Sequence, residues 1–120
     1  MLGETAEARA FTRSKERYIE LQLFSRLVRL IHATNSPLGL PANPALAENE
    51  NKYLPEALTR IDTALEDCIY VMGDNPTIAD CTLLAGIRFA NLFGWETPPN
   101  YANLQRWFEH FSARHPMGQT

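Results

Sequence analysis

The sequence is short of cysteine, long apolar runs and positive charge, and each shortage narrows what the protein can be. Cys68 and Cys81 are the only cysteines, and in apolar, helix-forming surroundings they read as reduced core residues rather than a disulfide pair. No apolar stretch approaches the roughly 20 residues that cross a bilayer. Met1-Leu2-Gly3-Glu4 lacks a basic segment followed by an apolar one, as a secretory leader has. The expectation is therefore a cytoplasmic protein without membrane contact. Lys and Arg number 11 against 14 Asp and Glu, a net charge of -3, so the basic footprint of a nucleic-acid binder is missing.

Familiar catalytic patterns are missing too. The glycines, at 3, 39, 73, 86, 94 and 118, form neither a phosphate loop nor a Gly-x-Ser-x-Gly elbow. Ser14, Ser25, Ser36 and Ser112 have no nucleophilic setting. His32, His110 and His115 are scattered, and a spacing of five does not put His110 and His115 on one metal-facing side of a helix. No metal and no catalytic residue is expected in this chain. Strand signals are absent, and no period of 20 to 50 residues marks a solenoid.

What is present is helix. A chain of 120 residues, 45% hydrophobic, suits one compact domain over 1–120. From Ala6 to Ala33 there is neither Pro nor Gly, which predicts one long helix ended by Asn35, Ser36 and Pro37. Residues 37–49 hold three prolines, a glycine and two asparagines and read as a loop. A second helix is expected near Glu50 to Asp67, burying Tyr53, Leu54, Ala57, Leu58, Ile61 and Leu65. Gly73-Asp74-Asn75-Pro76 turns the chain after the apolar Tyr70 to Met72. The segment from Ile78 to Ala90 is apolar nearly all round and belongs in the middle of a domain. Leu104, Trp107, Phe108 and Phe111 mark a last amphipathic helix that ends near His115-Pro116. The fold class is all-α, a bundle of about four to six helices.

The sharpest local motif is Thr77-Ile78-Ala79-Asp80, a capping box. The Thr77 hydroxyl can accept from the Asp80 N–H while the Asp80 carboxylate reaches back to the Thr77 N–H. Loss of either side chain should cost about 1 kcal/mol, more in a buried helix. Cys81 sits in the first turn, where the helix dipole can lower a thiol's pKa. Its apolar neighbours argue instead for burial.

The whole run from Met72 to Ala85 closely resembles the capped core helix of the glutathione transferase C-terminal domain. Leu2 to Ala10 looks like the linker and first helix of that domain, and Asn103 to Trp107 with Arg114-His115-Pro116 looks like its closing helix. The resemblance covers nearly all of the chain, in order. It implies a parent protein that conjugates glutathione, its co-substrate, to small hydrophobic electrophiles, as in detoxification. It also implies a homodimer, or pairing with a thioredoxin-like N-terminal half that holds most glutathione contacts and activates the sulfur. No counterpart of that half is in this sequence, so the resemblance implies either a fragment of a longer protein or a stand-alone helical domain. The isolated chain is expected to be inactive, with no cofactor of its own.

In that family the first half of the long helix lines the dimer interface and the glutathione cleft. Arg13, Glu16, Arg17 and Glu20 then become candidate contacts for the peptide's charged ends, and Phe11, Tyr18 and Gln22 candidates for the apolar wall of the electrophile site. The plainer readings are a solvated charged face for the first set and packing for the second. The competing function is a non-enzymatic interaction module, since similar helical domains dock proteins in translation elongation and tRNA synthetase assemblies.

Overall fold

The computed structural model describes residues 5–114. The first helix, α1 (Ala6–Ile19), is capped by Thr5, whose Oγ1 accepts from the Ala8 N–H at 2.9 Å. It continues through a π-helical turn, Glu20–Phe24, into α2 (Ser25–Thr34). The expected long helix is therefore present, but not as one regular spiral. In the π turn the Ser25 N–H donates to the Glu20 carbonyl five residues back, which widens the turn and rotates the register of all that follows. Before the turn the charged Arg13 is exposed, and after it the apolar Leu27 and Ile31 are buried.

The second helix differs from expectation at its start. α3 spans Pro44–Ala64, so part of the predicted loop is helical. Asn43 accepts from the Leu46 N–H at 3.2 Å, and Pro44 occupies the first helical position, where its missing N–H has no partner to lose. Prolines there read as loop signals in sequence but open the helix. Leu54, Ala57, Leu58, Ile61 and Leu65 are buried as expected. Tyr53 is not: it is 41% exposed, with the Arg26 and Lys52 cations 5.0 and 5.5 Å from its ring centre. The buried polar position on this helix belongs to Glu50.

Both halves of the capping box form at the start of α4 (Ile78–Leu92). Its end is a Schellman motif, with Trp95 N–H donating to Ala90 O at 3.0 Å and Gly94 N–H to Asn91 O at 3.3 Å. Gly94 takes φ 94, a left-handed conformation open to glycine. α4 packs against α1, the π turn and α2 on one side and against α5 (Ala102–Arg114) on the other. The expected end of α5 near His115-Pro116 lies outside the described residues. Trp107 and Phe111 of α5 stack at 5.4 Å in the core beside Ile19, Leu23, Leu27, Leu83 and Ile87. The fold is an all-helical bundle with no strand among the described residues.

Candidate functional site

The π turn and the first turns of α2 run alongside the first half of α4 and leave an open groove of about 610 Å³ between them. Side chains four apart on a helix share a face, and the groove is built from such pairs. Phe24 and Val28 give one apolar row, Ser25 and Arg29 a polar one beside it, and Cys81 and Ala85 of α4 the opposite wall, with Thr82 and Glu20 completing the lining. Gly86 sets the separation. A Cβ built there would meet Phe24 Cδ2 at 3.3 Å, so the absence of a side chain lets α4 approach the π turn.

Polar anchoring surrounds this groove. The Thr82 hydroxyl donates to Glu16 Oε2 at 3.2 Å, tying α4 to α1. Arg17 lies 3.7 Å from Glu20, with side chains 69% and 46% exposed, a weak surface pair. Glu50, its side chain 1% exposed, accepts from Arg26 Nη1 at 2.9 Å and from Arg29 Nε at 2.9 Å. Burial pushes the Glu50 carboxyl up, but hydrogen bonds and charge from Arg29 and Arg26 together outweigh it and leave the pKa below its ordinary value.

The residues proposed from sequence are distributed over three environments. Glu16 and Glu20 face α4, and Glu20 lines the groove. Tyr18 is half-buried against the core with the Arg60 guanidinium 5.8 Å from its ring centre, and Gln22 accepts from Arg26 Nη2 at 3.1 Å. Phe11 is 64% exposed and borders a different groove, near Thr12, Met72 and Asp74. Phe11 and Tyr18 share a helix row but are separated by about 10 Å of rise, which is why they do not form one wall. Arg13 and Arg17 point to solvent.

Cys81 departs from both sequence readings. It is exposed, not a core residue, while Cys68 is half-buried, and both are free. Partial desolvation, then the neighbouring Asp80 carboxylate, raises the Cys81 thiol pKa, so the helix terminus does not produce a thiolate there. Sequence reasoning missed Phe24, Ser25, Val28, Arg29, Thr82 and Ala85 as groove residues. The spacing of Ser25 and Arg29 was the available signal, but only the packing of α4 shows which face borders a cavity. Among the described residues, no group of three His, Cys, Asp or Glu converges as metal ligands would.

Residues 20–115 match the family profile described as "Glutathione S-transferase, C-terminal domain". The chain belongs to this family. Glutathione S-transferase 2 of Saccharomyces cerevisiae is 24% identical over 118 residues, covering 95% of this chain and 51% of the yeast protein. The crystal structure of Gtt2 from Saccharomyces cerevisiae superposes with a TM-score of 0.85 at 24% identity, over 96% of this chain and 57% of that one. A Gtt2-class glutathione S-transferase of Vibrio parahaemolyticus gives a TM-score of 0.77 at 27% identity, over 95% and 52%. The chain thus spans about half the length of these glutathione S-transferases. The fold expected from the capping box and its flanks is the fold observed.

Proposed function

We propose that this chain is the helical half of a glutathione transferase-like protein and that the groove between the π turn, α2 and α4 forms part of the site for an apolar electrophile. The observation that carries the reading is the groove's composition. Phe24, Val28 and Ala85 supply apolar surface, and a few polar groups at the edges orient what enters, the usual build of a small-molecule site. Glutathione is then the co-substrate of the parent protein. Sulfur activation comes from a thioredoxin-like half, and dimer contacts come from the first helix, where Arg13 and Arg17 are exposed.

The test is glutathione conjugation to a chloronitrobenzene, measured for this chain alone and for the chain joined to the thioredoxin-like half of a family member. Activity is expected only in the joined protein, and Val28→Trp, which fills the groove, should raise KM for the electrophile. Appreciable conjugation by the isolated chain overturns this division of labour. The exposure of Phe11 at the second groove favours a second reading, a non-enzymatic module that docks a protein through the first half of α1. Failure to self-associate or to retain any partner in pull-downs counts against it.

A further inference from the structure

The Arg29 end of the groove carries an excess of positive charge. Where α2 meets α3, two guanidinium groups share one carboxylate: Arg26 and Arg29 both bond to Glu50. Arg26 is committed elsewhere as well, donating to Gln22 at 3.1 Å and lying 5.0 Å from the Tyr53 ring centre. Arg29 is the accessible member, its side chain 45% exposed against 19% for Arg26, and it alone of the three lines the groove. Glu50 holds its Nε at 2.9 Å and its Nη2 at 3.4 Å, while Nη1 makes no hydrogen bond among the described residues. Ser25, one helical turn earlier on the same face, also lines the groove, and its hydroxyl has no partner among the described residues. The other charged lining group, Glu20, precedes Arg29 by more than two helical turns and meets Arg17 only in an exposed contact at 3.7 Å, and Glu16 is bonded to Thr82 of the opposite wall. The positive site is therefore local, set within a chain of net charge -3.

A guanidinium fixed by a buried carboxylate loses little freedom when it binds an anion, and its remaining N–H groups match the two oxygens of a carboxylate. We propose that Arg29, assisted by Ser25, makes this groove selective for small apolar molecules that carry a carboxylate, the apolar body lying on Phe24, Val28 and Ala85. Arg29 is a specificity-determining residue here. The inference rests on the groove being a ligand site, as proposed above.

The matched pair 2-naphthoate and 2-naphthamide tests it on the full chain, with binding followed by backbone amide NMR shifts of Val28, Thr82 and Ala85. Naphthoate should bind about fivefold more tightly, the effect of one partly exposed charge pair. In about 1 M salt, where charges are screened beyond roughly 3 Å, the preference should shrink. Arg29→Gln should abolish the preference for naphthoate over the amide, and Arg29→Lys should keep part of it. Glu50 also binds Arg26 at 2.9 Å, a contact that neither substitution removes, so both variants are expected to fold. If a variant does not fold, the salt dependence of the unmodified chain decides. Equal affinity for the two naphthalenes overturns the role of Arg29 and leaves the groove a ligand site. Binding of neither overturns both readings.

Discussion

Asp80 carries more of this fold than any capping residue could by local contacts. Its carboxylate is fully buried and accepts from Thr77 N–H at 2.9 Å, from Val71 N–H at 2.9 Å and from Trp107 Nε1 at 2.9 Å. The Thr77 hydroxyl adds a longer contact at 3.4 Å. Capping alone is worth about 1 kcal/mol. Here removal of one side chain also leaves an indole N–H and a backbone N–H buried without partners, each costing about 1–3 kcal/mol. Asp80→Ala is therefore expected to lower the unfolding free energy by roughly 3–5 kcal/mol, read from urea denaturation. A loss near 1 kcal/mol would mean that water replaces the lost acceptor. The capping box was legible in Thr77 and Asp80. The bond to Trp107 was not, because 27 residues separate the partners and no local pattern joins them.

At the scale of elements, helix ends and helix contacts are decided by residues distant in sequence. α5 begins at Ala102, and Tyr101 before it cannot cap a helix. Asp62 of α3 does so from across the bundle, accepting from the Leu104 N–H at 2.9 Å and from Asn103 Nδ2 at 3.3 Å. The C-terminal end of α3 is closed in the same way by Arg106 of α5, which donates to the carbonyls of Leu65 and Cys68. The approach of α4 to the π turn rests on Gly86. Gly86→Val should push Phe24 into the groove and destabilise the chain by about 1–3 kcal/mol, the usual penalty of overpacking. Thermal melting measures the stability, and a drop in 2-naphthamide affinity reports the groove. An unchanged melting temperature together with unchanged binding would show that α4 shifts away at little cost.

For the whole molecule, the α2–α3 junction couples stability to pH. The Glu50 carboxyl is held below its ordinary value by Arg29 and Arg26 against the opposing effect of burial. The unfolded chain then binds more protons than the folded one in the acid range, so stability falls as pH falls. The Glu50 contribution is complete above the ordinary glutamate pKa of 4.5 and is lost as pH drops through the lower folded value. Glu50→Gln should cost roughly 2 kcal/mol at pH 7, less than a fully buried pair because both arginines reach solvent. It should also flatten the dependence of urea midpoints on pH below about 4.5. A variant as acid-sensitive as the unmodified chain would place that sensitivity in other carboxylates.

The sequence by itself determined the class of fold, since periodic apolar residues and capping signals act within a few residues of one another. It located the long first helix, the turn at Gly73 to Pro76, the capped core helix and the amphipathic α5. It also carried the resemblance that the family match bears out. Only the tertiary structure decided that α3 opens at Pro44, that the long helix widens at Glu20–Phe24, and that Cys81 reaches the surface. The pairing of Glu50 with two arginines and the groove beside Arg29 were likewise settled there. The reason is geometric. A cavity, a buried charge or a cap supplied from another helix depends on which faces meet across the bundle, and spacing along one helix records only which residues share a face.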